Sequence, residues 1–213
     1  MRDTTRRQFV TALLAGGAAA ALAVRRSLAA EREDPLSFLG DALPVMPRNR
    51  WTDINPKTGR LNAAGGFHRL TVHHSGNRRA AVDPEGAVAR ELDGILNAHM
   101  QRSYGDIGYH FAIDHAGRVW EGRSLTFEGA HVAAENGHNV GVVLLGNFQV
   151  QKPSDAQVDA MRKLLYFVCR EHRIPASRVY GHRDLGASVC PGRYLYSFVD
   201  QLRHRNPTEG TDA

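Results

Sequence analysis

The run Asn139-Val140-Gly141-Val142-Val143-Leu144-Leu145-Gly146 restricts what this chain can fold into more than any other stretch. It is apolar almost without a break, the pattern of a central strand covered on both faces. The segments around it fit such a sheet. Phe67 to His74 reads as a strand, with Leu70, Val72 and His74 on one face and Thr71 and His73 on the other. Asp83 as N-cap and Pro84 at the first helical position open a helix that carries Val88, Leu92, Ile95, Leu96 and His99 to about Gln101. Asp106 to Asp114 alternates as a strand. A turn at His115-Ala116-Gly117-Arg118 joins it to Val119-Trp120-Glu121-Gly122 in a hairpin. Ser154 and Gln157 make a capping box for a helix with the stripe Val158, Met161, Leu164, Leu165 and Val168. Arg178 to Gly181 is a short strand, and Tyr194 to Leu202 a last helix. The order β-α-β-β-β-α-β-α predicts an α/β fold: a single domain with a mixed central β-sheet flanked by helices.

The ends of the chain read differently. Residues 1–30 resemble a twin-arginine-type signal peptide. Thr5-Arg6-Arg7-Gln8-Phe9-Val10 carries the paired arginines, and the fifteen residues from Val10 to Val24 are uncharged. Ser27-Leu28-Ala29 or Leu28-Ala29-Ala30 offers a small-residue cleavage site. Fifteen weakly apolar residues are short for a membrane span, which needs about 20. The expected address is therefore outside the cytoplasm, in the periplasm or cell envelope or beyond it, reached through the twin-arginine export machinery. Residues 31–46, with Pro35 and Pro44, read as a linker, 47–204 as the folded domain and 205–213 as a polar tail. The formal charge of +5 misleads, because residues 1–30 hold five arginines against Asp3 and the rest holds 22 basic and 21 acidic residues. That near balance argues against a nucleic-acid partner, which asks for a basic stripe. The expectation is a monomer without a stable membrane span.

Chemistry concentrates in Tyr180-Gly181-His182-Arg183-Asp184-Leu185-Gly186-Ala187-Ser188-Val189-Cys190-Pro191-Gly192. A Gly-rich loop closed by Pro-Gly can bring His182 and Cys190 to one point, a pair that suits Zn²⁺. A third ligand must come from elsewhere, and His73-His74 offers one. Adjacent strand residues point opposite ways, so only one of the two can reach a given ion. His73 lies on the polar side. Cys169 sits in an apolar helical run and reads as a buried free thiol. A Cys169–Cys190 disulfide is the competing reading, and it excludes metal binding by Cys190.

Seven ordered stretches carry a resemblance. They are Pro47-Arg48 to Trp51, Val72-His73-His74-Ser75, Asp106 to Phe111, Glu121-Gly122-Arg123, Gly129-Ala130-His131, Leu145-Gly146-Asn147-Phe148, and Gly181-His182-Arg183-Asp184 to Cys190-Pro191-Gly192. Together they resemble the peptidoglycan recognition protein and type-2 N-acetylmuramoyl-L-alanine amidase family over about residues 47–203. The resemblance implies a zinc amidase that cuts between N-acetylmuramic acid and L-alanine of the stem peptide, with peptidoglycan or muropeptide as partner. It implies one catalytic Zn²⁺ on His73, His182 and Cys190, with Tyr109 orienting water or holding the oxyanion. Ser188 stands where phage members carry lysine and catalytic animal members often threonine; its hydroxyl is a candidate oxyanion donor. Val143 stands where the cytoplasmic recycling amidases carry a glutamate base, which puts this chain with the tyrosine-using branch. His131 matches a groove-lining position, there for substrate contact or for a structural hydrogen bond. Arg123 and Asn139 are candidate contacts to peptide or sugar. His74 and His110 are expected behind the ligands or in the core, Trp51 in the core or a lid, and Arg183-Asp184 as a local ion pair. The alternative is a recognition protein that binds peptidoglycan without cutting it. Such relatives characteristically lack the cysteine that Cys190 supplies here.

Overall fold

The computed structural model describes residues 36–77 and 84–204. The signal at 1–30, the cap at Asp83 and the tail at 205–213 lie outside the described residues. From Phe38 onward these residues form one compact unit. Its six strands are β1 (Val45–Met46), β2 (Arg69–His74), β3 (Phe111–Ile113), β4 (Val119–Glu121), β5 (Asn139–Leu144) and β6 (Val179–Gly181). Its helices are α1 (Glu85–Gln101), α2 (Asp155–Glu171) and α3 (Arg193–His204), with short 3₁₀ turns between. The sheet order is β1-β4-β3-β5-β2-β6. β2, β3, β5 and β6 run parallel, while β4 and β1 run against them. This is the expected α/β fold with a mixed sheet.

Every residue of β5 is buried, as its apolar run requires. Register then assigns the faces. His73, Val143, Ala112 and Trp120 stand in one row across four strands. Val88, Leu92 and Leu96 of α1 join Val143, Ala112 and Trp120 in one apolar cluster. Val72, Val142 and Phe111 make the row on the other face, with Gly181 beside Val72. There α3 lies so close that a β-carbon on Gly181 would stand 2.8 Å from the Tyr196 ring. His73 therefore ends the α1-covered face at the carboxyl end of a parallel strand, where ligands of open α/β sheets are bound.

The capping box of α2 is present. Ser154 Oγ accepts from Gln157 N at 3.1 Å and Gln157 Oε1 accepts from Ser154 N at 3.2 Å. Both side chains reach further: Ser154 Oγ donates to His115 O at 2.7 Å and Gln157 Nε2 donates to Leu145 O at 3.1 Å. The cap thus fixes α2 against the β3–β4 turn and the end of β5. That turn needs Gly117, at φ +81, because a β-carbon there would meet Ala156 O at 2.6 Å.

Four expectations are corrected. Helix α1 begins one residue later than its pattern suggested: Pro84 is the N-cap, its carbonyl accepting from Ala87 N and Val88 N. Strand β3 is three residues long, not nine. Side chains take the first two N–H groups of that stretch: Asp106 Oδ1 accepts from Ile107 N at 2.8 Å and His99 Nδ1 from Gly108 N at 2.8 Å, so the regular strand starts only at Phe111. The stretch ending at residue 46 is more than a linker, since Val45–Met46 pairs with Val119–Trp120 and Leu39 and Leu43 are buried. Finally, Asp184 pairs with Arg203 at 3.5 Å rather than with Arg183, whose guanidinium lies over the Tyr196 ring.

Candidate metal centre

β2 delivers two histidines to opposite sides. His74 turns toward Phe148, whose N–H donates to its Nδ1 at 3.2 Å. His73, 1% exposed, turns under α1. β6 ends at Gly181 and hands His182 to a tight turn. Asp184 holds that turn by accepting from Gly181 N at 2.8 Å and from the Tyr196 hydroxyl at 2.7 Å. The loop then folds back until Arg183 N donates to Cys190 O at 2.8 Å. Ser188 Oγ accepts from Cys190 N at 3.1 Å and sets the last bend before the thiol.

One ligand atom each from His73, His182 and Cys190 lies within 4.8 Å of the others. His73 Nδ1 is 3.7 Å from Cys190 Sγ. A tetrahedral zinc with ordinary bond lengths sets nitrogen and sulfur about 3.6 Å apart, so the donor set and its spacing fit that ion. Among the described residues these three would hold such an ion, with room for one further ligand in a tetrahedral set. The two cysteines are both free, and Cys169 is half-buried.

Electrostatics keeps these donors neutral. Burial holds the His73 imidazole well below its ordinary range, and the neighbouring His131, His182, His74 and His99 add to the effect. Burial also lowers His182. The Cys190 thiol is pushed up to about 12 by burial, opposed by the His74 N–H at 3.3 Å from its sulfur and by Arg183. A divalent cation is the natural counter-charge for a thiolate at such a place.

Tyr109 stands on the loop entering β3, its ring 5.1 Å from that of His73 and 5.6 Å from that of His99. Burial raises its phenol, with Cys190 and Tyr104 contributing, so it stays a proton-bearing donor. Val143, in register with His73, puts a buried apolar side chain beside it in the sheet. His131 makes structural hydrogen bonds: its Nδ1 lies 3.0 Å from His73 Nε2 and its Nε2 3.1 Å from Asn139 O.

The structure does not bring Arg123 and Asn139 to a surface. Arg123 is 3% exposed and donates to four backbone carbonyls: Ile107 at 2.8 Å, Glu128 at 2.6 Å, Tyr104 at 3.0 Å and Asp106 at 3.2 Å. It is the internal knot of the loop that carries Tyr109. Asn139 is fully buried, its Oδ1 accepting from Thr71 Oγ1 and its Nδ2 donating to Glu135 O. His110 is core as well, accepting at Nδ1 from Gly141 N and donating from Nε2 to Phe127 O. Trp51 is core, its indole N–H donating to Glu121 O at 2.8 Å.

Two residues went unassigned in the sequence. His99 pins Gly108 and thereby Tyr109, and burial lowers it to about 4 with Arg102 and Arg123 adding. Asn136 Oδ1 accepts from His131 N at 2.7 Å and Val132 N at 2.8 Å. The one signal for His99 was a histidine in the last turn of a helix just upstream of Gly108-Tyr109.

Residues 65–193 match the N-acetylmuramoyl-L-alanine amidase family model. The chain is 33% identical over 182 residues to peptidoglycan-recognition protein LB of Drosophila melanogaster, covering 82% of this chain and 78% of that protein. Among solved structures it is similar to a tyrosine-to-phenylalanine mutant of Drosophila PGRP-LB in complex with tracheal cytotoxin, with a TM-score of 0.67, 26% identity, and coverage of 76% of this chain and 96% of that one. It shares its fold with the amidase LysC of Clostridium intestinale, with a TM-score of 0.63, 20% identity, and coverage of 76% and 99%. The chain belongs to the N-acetylmuramoyl-L-alanine amidase family, together with the peptidoglycan-recognition proteins.

Proposed function

We propose that this protein is a zinc-dependent amidase that hydrolyses the bond between N-acetylmuramic acid and L-alanine of the peptidoglycan stem peptide. The observation that carries the reading is the convergence of His73, His182 and Cys190 beside the Tyr109 phenol. Zinc bound by those three residues supplies Lewis acidity toward water and the scissile carbonyl. The chain's own groups do the rest. His73 and His182 offer neutral nitrogens, and the His74 N–H and Arg183 favour the thiolate form of Cys190. Tyr109 donates to the oxyanion that develops as the carbonyl becomes tetrahedral. Ser188 holds the bend that aims Cys190. Residues 1–30 serve as a twin-arginine-type export signal, delivering the protein to the periplasm, the cell envelope or the medium. No helix among the described residues is long and apolar enough to cross a membrane.

A relative in complex with tracheal cytotoxin makes that compound a fitting test ligand beside defined muropeptides. The non-cutting recognition reading keeps the partner and drops the chemistry; Cys190 favours the enzyme. The test is to incubate the zinc-loaded full chain with these compounds and weigh the products. A free stem peptide is expected. Cleavage between sugars or within the peptide, or binding without cleavage, overturns the reading.

A further inference from the structure

The interior side of His73 carries a second device. A backbone carbonyl can only accept, so the contact between His131 Nε2 and Asn139 O at 3.1 Å puts the proton on that nitrogen. A neutral imidazole has one N–H, which leaves His131 Nδ1 as an acceptor. The group 3.0 Å from it is His73 Nε2, which must therefore donate. His73 then has no proton on Nδ1, the atom that faces Cys190 Sγ. Each step follows from the one before, starting at a carbonyl in β5.

The His131 ring is also held by shape. A β-carbon on Gly129 or on Gly141 would stand 2.4 Å from its Cδ2, so the imidazole lies where neither position can bear a side chain. Its backbone is fixed by Asn136 Oδ1, and its ring meets that of His73 edge-on at 5.0 Å.

We propose that His131 is a positioning residue that sets the tautomer and ring orientation of His73, presenting Nδ1 for metal binding. The inference rests on the metal-site reading above. Histidine ligands generally give their second N–H to a carboxylate, a carbonyl or water. Here an imidazole relays that role from a strand carbonyl and brings no negative charge to the site.

The experiment uses full-chain protein labelled with ¹⁵N-histidine, free of metal and then titrated with Zn²⁺. Ring nitrogen shifts should show His73 and His131 protonated on Nε2 before any metal is added. His131→Phe, which removes the acceptor, should weaken zinc binding by roughly 10–100-fold in competition with a chromophoric chelator. It should also let the Nδ1–H form of His73 appear. His131→Gln, whose Oε1 can accept, should recover most of that affinity. A wild-type spectrum with His73 protonated on Nδ1 overturns the proposal, as does native-like His131→Phe protein with undiminished affinity. Should the phenylalanine variant not fold, the wild-type spectrum decides alone. If the wild type binds no zinc, the amidase reading fails, while the metal-free spectrum still judges the relay.

Discussion

Two buried polar clusters lie near each other and end oppositely. Around Arg123, the guanidinium gives four of its five N–H groups to backbone carbonyls of the protein itself. At the end of β2, His73 Nδ1 and Cys190 Sγ face each other at 3.7 Å, both groups held uncharged by burial. The contrast teaches that burial of polar groups does not mark a site. What marks it is donor capacity that the fold positions and leaves unspent.

The largest break in the comparison comes from Cys190→Ser. It should abolish zinc retention and amidase activity, read by metal analysis and product mass, while thermal unfolding of the metal-free protein shifts little. Arg123→Met should do the reverse. Stranding four carbonyls should cost about 3–5 kcal/mol in urea unfolding, with zinc affinity changed only a few-fold. Acid tests the neutral histidines next. His110 is lowered to about 4, chiefly by burial. Its contribution is full above the unfolded pKa near 6.5, is lost as pH falls from about 6.5 to 4, and is flat below. The loss for that one residue is on the order of 3 kcal/mol, seen as a falling urea midpoint of metal-free protein. Tyr109→Phe should lower kcat by about 100-fold with KM nearly unchanged, as loss of an oxyanion donor does. Ser188→Ala should be mildest, costing about 1 kcal/mol or less through the lost hydrogen bond to Cys190 N; unchanged zinc affinity would remove Ser188 from the account of the loop.

The donor set was legible in the sequence because period-two alternation in β2 separates His73 from His74, and a Gly-rich loop brings His182 and Cys190 together. The inward fate of Arg123 was not legible. Its partners are backbone carbonyls of residues 104, 106, 107 and 128, which no side-chain pattern encodes. The same blindness lengthened β3: Asp106 to His110 alternates like a strand, yet the N–H groups of Ile107 and Gly108 go to Asp106 and His99, and the carbonyls of Asp106 and Ile107 to Arg123. Residues 45–46 escaped because a two-residue edge strand between prolines has too little length to show a period.

The segment just after that edge strand sets how far the protein can be trimmed. Arg48 bonds Asp106 at 2.7 Å and the Gly122 carbonyl at 3.2 Å, stacks on Trp51 at 5.0 Å, and gives its own N–H to Glu121 at 2.8 Å. It is a clasp on the two segments that flank the Tyr109 wall from outside. The span shared with the family model begins seventeen residues later, at 65. A minimal domain cut to that span would keep all three donors and lose the buckle that holds the opposite wall upright.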